Sequence, residues 1–193
     1  MASAAALPRR FNQLVLIDPV IFAPERYEQM ELHAGLSAVD HPVARRKNNW
    51  RDADEMFTRF RERPPFDNWK PEVLRDYCDY ALLPPDEDGF RQLACNPINE
   101  ASNYLNSGSN ETILEKLPLI TMPVSLLRAT PGEGSEEDFS ASPTWPELAS
   151  HLPMCRDVYL PDLNHFIPMQ DPGLVAGYIL EAIENTWQRD ILP

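Results

Sequence analysis

With 193 residues, 43% of them hydrophobic and 24% charged, the chain has the size and composition of a packed domain, which excludes wholesale disorder, collagen-like repeats and a disulfide scaffold. Its 17 Lys and Arg against 30 Asp and Glu leave a net charge of −13, a surface that repels phosphate backbones and anionic membranes, so nucleic acid and membrane are excluded as expected partners. Twenty prolines against seven glycines imply short elements between stiff turns, not a helical repeat or a glycine-rich phosphate loop.

The start, MASAAALPRR, puts its charges after a short small-residue stretch, the reverse of a signal peptide, and no apolar run reaches about 18 residues. The expectation is a soluble, cytoplasmic protein. Cys78, Cys95 and Cys155 are odd in number and lack C-x-x-C spacing, so they read as reduced structural thiols, with no metal and no cofactor expected.

In chain order, the first element is the apolar run Leu14-Val15-Leu16-Ile17, halted by Asp18-Pro19, which suits a strand covered on both faces. About a hundred residues without a strand signal follow. Trp50, Met56, Phe57 and Phe60 recur at helical spacing up to Pro64-Pro65, and Pro71 opens a helix whose stripe is Val73, Leu74, Tyr77, Cys78 and Ala81. A helix is predicted from Ile98 to Leu105, and another from Glu111 to Leu117 behind an Asn110 cap.

Met122 to Arg128 reads as a second strand and Arg156 to Leu160 as a third. Between them, the acidic stretch 130–138 is followed by Ser142-Pro143, which predicts a helix to about Leu152. Asp171-Pro172 opens a last amphipathic helix, with Leu174, Val175, Tyr178, Ile179, Ala182 and Ile183 toward the core. The pattern is an α/β frame of parallel strands with a helical insertion, divided 1–39, 40–117 and 118–193.

The segment Asn164-His165-Phe166-Ile167-Pro168-Met169-Gln170-Asp171-Pro172 sets a histidine in the loop leaving a strand, just before a helix. Here the chain resembles the α/β-hydrolase fold superfamily, whose members commonly carry the catalytic His in a context like H-F-x-P-M-x-D-P. LVLIDP resembles the sixth strand, the helical insertion the cap, and LEKLPLITMPVSLLRA the approach to the seventh strand. The resemblance spans most of residues 11–187. More narrowly, the chain is similar to small hydrolases of fungal secondary metabolism.

The resemblance implies that His165 is the general base of a Ser-His-Asp triad. The acid precedes His in family order, and the loop after the second strand offers Glu133, Glu136, Glu137 and Asp138, of which Asp138 is preferred. Asp18 is the alternative acid; taken alone, it also reads as a turn-forming Asp before Pro. His33, His41 and His151 lack comparable context.

No G-x-S-x-G nucleophile elbow occurs in the sequence. Ser3, Ser109, Ser135 and Ser142 lack the strand-elbow-helix context and read as turn or cap residues. The resemblance therefore implies a partial fold, with the nucleophile and oxyanion hole upstream of Met1, a silent 193-residue product, and an open edge on the first strand that favours self-association. An apolar small-molecule ester, lactone or thioester is the implied substrate of the complete enzyme. Trp50, Phe57, Phe60, Trp69 and Phe166 are candidates to line its pocket, and Phe66, Tyr77, Tyr80, Phe90 and Tyr104 are further aromatics of the insertion; ordinary packing accounts for the same spacing. The competing reading is a non-catalytic remnant or binding module.

Overall fold

The computed structural model describes residues 1–31, 37–132 and 139–184. In chain order the elements are α1 (Ala2–Ala6), β1 (Leu14–Ile17), α2 (Pro24–Glu31), α3 (Ala53–Phe60), α4 (Pro71–Tyr80), α5 (Pro97–Leu105), β2 (Val124–Ala129), β3 (Cys155–Leu160), α6 (Ile167–Gln170) and α7 (Pro172–Glu184), with short 3-10 turns between. They form two compact units, Met1–Gln29 with Ser109–Pro193, and Met30–Gly108.

The first unit is built on a parallel sheet in the order β1-β2-β3, with Leu14 opposite Val124 and Val124 opposite Cys155. Strand alternation sorts the side chains to two faces. Leu14, Leu16, Val124, Leu126 and Cys155 pack with Ala4, Ala5, Ile113, Leu117 and Leu148 on one face. Val15, Ile17, Leu127, Ala129, Val158 and Leu160 pack with Ile167, Val175 and Tyr178 on the other. Central β2 is buried at every residue but Arg128, Ser125 included, whereas the continuous apolar run of β1 is half-buried and has no strand on its outer side among the described residues.

The second unit is held by aromatic and aliphatic packing. Asp52 caps α3 by accepting from the Glu55 amide, and Asn96 caps α5 by accepting from the Ile98 amide. Trp50, Met56, Phe60, Trp69, Leu74 and Cys78 are buried. Trp50 sits outside α3, in an isolated bridge with Arg91, and meets Phe60 edge-on at a centroid distance of 5.3 Å.

Three expectations are corrected. Ser142 does not open a helix to Leu152: Pro143 and Pro146 deprive the segment of amide donors, and only a 3-10 turn, Leu148–His151, forms. Residues 111–117 lie in a 3-10 stretch, Ser107–Leu119, that contains Pro118, and the Asn110 side chain caps nothing there; it accepts from the Tyr27 hydroxyl at 2.7 Å and donates to the Val20 carbonyl at 2.8 Å. On α7, Val175 and Ala182 face the core, but Ile179 and Ile183 are exposed, since the helix lies against the sheet by a stripe narrower than its apolar surface. No described helix is long and apolar enough to cross a membrane.

Candidate active site

The site forms where the chain leaves the carboxyl ends of parallel strands, the usual place for function in an open α/β sheet. Asp18 follows β1 directly, and its amide donates to the Leu127 carbonyl at 2.7 Å, extending the ladder by one residue. Its φ is +42°, a left-handed conformation that Asp tolerates better than most non-glycine residues. The kink carries the carboxylate away from the ladder and across the ends of the strands.

His165 lies in the loop after β3. Its amide donates to the Ser140 carbonyl at 2.7 Å, while the neighbouring Asn164 amide donates to Gln170 Oε1 and the Phe166 amide to Asn164 Oδ1, both at 2.9 Å. These local bonds fix the loop ahead of α6. The result is a contact across the sheet: His165 Nδ1 stands 2.7 Å from Asp18 Oδ2, with the carboxylate fully buried and the imidazole about a quarter exposed.

The other carboxylate oxygen is saturated. Asp18 Oδ1 accepts from the Ala129 amide at 2.9 Å, from Ser142 Oγ at 2.6 Å and from Thr144 Oγ1 at 3.2 Å. Burial pushes the Asp18 carboxyl up, but the hydrogen bonds from His165, Ser142 and the Ala129 amide outweigh it and hold the group below its ordinary value. Asp18 is therefore an ionised acceptor, so the Nδ1 nitrogen carries the proton and donates. With Nδ1 engaged by Asp18, Nε2 makes no hydrogen bond to a described residue.

The structure thus brings His165 and Asp18 together, and Phe166 stays beside them, its ring centroid 5.7 Å from that of His165. Asp138, Glu133, Glu136, Glu137, Ser135 and His33 lie outside the described residues. Trp50, Phe60 and Trp69 are in the packed interior of the second unit and Phe57 is half-buried there. None of them borders the cavity of about 190 Å³ in that unit, which lies among Arg46, Tyr77, Leu93, Cys95 and Glu100. His41 stacks on Tyr104 and His151 on Trp145. No cluster of three potential metal ligands occurs among the described residues.

Sequence reasoning missed Thr144 altogether and misread Ser142 as a helix cap. The available signal was local: Pro146 stands where a helix opened at Pro143 needs its first amide donor, which bars regular helix and leaves the Ser142 and Thr144 hydroxyls to find partners elsewhere.

An α/β frame with parallel strands and a His-carboxylate pair at their carboxyl ends defines a class, and comparison narrows it. No family model matches the sequence. The abhydrolase domain-containing proteins ACTT2-1 and ACTT2-2 of Alternaria alternata are each 24% identical over 217 aligned residues, covering 96% of this chain and 79% of theirs. The peroxisomal α/β-hydrolase Lpx1 of Saccharomyces cerevisiae superposes with a TM-score of 0.66 at 14% identity, over 96% of this chain and 49% of its own. E-2-(acetamidomethylene)succinate hydrolase gives 0.61 at 17% identity, with 94% and 61% covered, and the thioesterase domain from the curacin biosynthetic pathway 0.58 at 17%, with 93% and 59% covered. The chain carries part of the α/β-hydrolase fold. It spans about half the length of the yeast hydrolase.

Proposed function

We propose that the protein provides the base and the orienting acid of a serine-type hydrolase acting on an ester, lactone or thioester of an apolar small molecule. The observation that carries this reading is the 2.7 Å contact between His165 Nδ1 and the buried Asp18 Oδ2. The ionised carboxylate holds the ring in the Nδ1–H tautomer and would stabilise the imidazolium formed when Nε2 removes a hydroxyl proton. His165 then returns that proton to the leaving group and draws another from water to clear the acyl intermediate. Asp18 takes the acid role in preference to Asp138, because it already fills the Nδ1 side of the ring.

Ser142 is unsuited to be the nucleophile: its hydroxyl is spent on Asp18 Oδ1, on the far side of the carboxylate from the imidazole. With no G-x-S-x-G in the sequence, the serine served by His165 is proposed to come from outside these 193 residues. Residues 40–117 are proposed as the cap; most of them fall in the compact unit Met30–Gly108, which has buried aromatics of its own.

The test is to capture the native polypeptide from its source cells with an antibody against α7, label it with an alkyl fluorophosphonate and map the modified peptide. The expected product is a serine peptide absent from this sequence. A label on Ser3, Ser109, Ser135 or Ser142 overturns the external nucleophile. No label at all overturns the hydrolase reading in favour of a non-catalytic binding module.

A further inference from the structure

The residues between β2 and β3 do more than connect strands. From Ser140 to Trp145 the chain is laced to both halves of the His-Asp pair. The Ser140 carbonyl accepts the His165 amide, and the Trp145 amide donates to the Ile21 carbonyl just past Asp18, both at 2.7 Å. Between these anchors the Ser142 amide donates to the Thr130 carbonyl at 3.2 Å, and the Ser142 and Thr144 hydroxyls converge on the single oxygen Asp18 Oδ1. Both residues are buried, Ser142 at 9% exposure and Thr144 at 3%.

We infer that the segment 140–145 is a positioning strap for the His-Asp pair, with Ser142 and Thr144 as positioning residues that select which carboxylate oxygen faces the imidazole. The inference rests on the hydrolase reading for its purpose, but not for its geometry. A carboxylate has two equivalent oxygens and rotates about its Cβ–Cγ bond unless its surroundings distinguish them. Among the described residues, three donors occupy Oδ1, and Oδ2 is left to His165 Nδ1 on the other side.

The two hydroxyls are not equal. The Ser142 hydroxyl donates to Asp18 at 2.6 Å and also accepts the Thr144 amide at 3.3 Å, so it is aimed from both sides. The single Thr144 proton is shared with the Pro19 carbonyl, which is nearer at 2.8 Å than Asp18 at 3.2 Å. Ser142 therefore sets the rotation of the carboxylate, while Thr144 ties the β1 exit to the strap and contributes less to the carboxylate itself.

The strap is tested by proton NMR of the purified chain, reading the His165 Nδ1 proton, which a charge-assisted bond to a buried carboxylate moves well downfield of the amide envelope; His165→Ala identifies the signal. Ser142→Ala is expected to move it upfield or broaden it beyond detection while the melting temperature stays close to that of the parent. Thr144→Val should produce a smaller displacement, and Thr144→Ser, which keeps the hydroxyl, should restore the parent signal. An unchanged downfield signal in Ser142→Ala overturns the inference. So does a signal lost only in step with melting temperature across the three variants, which would make the strap merely structural. Because the resonance needs no nucleophile, this result is separate from the fluorophosphonate test: an unlabelled protein with a strap-dependent signal would sink the hydrolase reading alone.

Discussion

Asp18 in the first unit and Trp50 in the second are both fully buried, yet their polar atoms are treated in opposite ways. Among the described residues, the Asp18 carboxylate accepts hydrogen bonds from four separate residues, whereas the buried Trp50 indole N–H has no acceptor. Around Asp18, His165 and Ser142 are each fixed by a backbone bond of their own and Thr144 by its amide on the Ser142 hydroxyl; against Trp50 lie the Phe60 ring, edge-on, and the Lys47 ammonium, 4.3 Å from the ring centroid. One unit orients a polar group and tolerates the strain of a positive φ to do so. The other fills volume and leaves a donor unpaired at a cost of about 1–3 kcal/mol.

If volume is what Trp50 supplies, Trp50→Ala should be the most damaging single change, lowering stability by about 3–5 kcal/mol in a denaturant titration. Trp50→Phe should cost well under half of that, because the lost N–H had no partner to leave behind. Equal losses from the two variants would break the comparison, since they would mean that the indole nitrogen matters.

The complementary change, Asp18→Asn, nearly conserves volume and removes charge. It should cost about 2–3 kcal/mol at neutral pH, because a neutral amide cannot accept equally well from all the donors now aimed at the carboxylate. The sign of the pH dependence follows from the depressed folded value of Asp18. Its contribution is fully present above the ordinary carboxylate range near pH 4 and is lost as pH falls through the lower folded value. The gap between parent and Asp18→Asn in chemical denaturation should therefore be constant from neutral pH down to about pH 4 and narrow below it. A gap that widens on acidification would show that the folded carboxyl is raised instead.

A smaller effect sharpens the role of the backbone around the strap. A Cβ at Gly132 would fall inside contact distance of the Ala141 Cβ, and Pro131 is bridged to Ser142 beside it. Gly132→Ala should cost about 1–2 kcal/mol through forced separation of these two segments. It should also weaken the His165 downfield signal, which Trp50→Phe has no physical reason to reach through the strap.

The comparison also explains which parts were legible in the sequence. Leu14–Ile17 and Val124–Leu127 announce strands because strands of a parallel sheet read as largely apolar runs, although only β2 is buried and β1 stays half-buried. Helix α4 announces itself through Pro71 in its first turn and one apolar stripe, and α5 is legible from Ile98 to Leu105, one residue short of its start at Pro97. His165 was conspicuous because its whole neighbourhood, from Asn164 to Pro172, is local. Asp18 was not: its meaning lies in a partner 147 residues away, and locally an Asp before Pro is a turn. Ser142 failed for a similar reason, since a Ser-Pro pair signals a helix start equally well when no helix follows. Asn110 was read as a cap because nothing nearby shows that Tyr27 and Val20 occupy its amide. Secondary structure here is written in neighbours, and the site is written in loops that meet only once the sheet has formed.

The smallest expected effect tests whether it is burial, and not the number of contacts, that gives Asp18 its weight. Arg75 has as rich a set of polar contacts as any residue in the second unit: it donates to Asp79 through Nε at 2.9 Å and again through a terminal nitrogen, reaches Asp54 at 2.6 Å, and covers the Phe57 ring at 5.5 Å. These ion pairs hold its guanidinium more strongly protonated than usual and depress the Asp79 carboxyl, yet all three groups stand at the surface, where water and salt compete for each bond. Arg75→Gln keeps most of the stem over Phe57 and removes the charge. Its melting temperature should fall by less than that of Gly132→Ala, and the remaining difference should vanish in about 0.5 M salt, where the screening length shrinks to a few ångström. A loss matching that of Asp18→Asn, and indifferent to salt, would mean that contacts in the second unit count as much as buried ones in the first, and the distinction between an orienting unit and a filling unit would collapse.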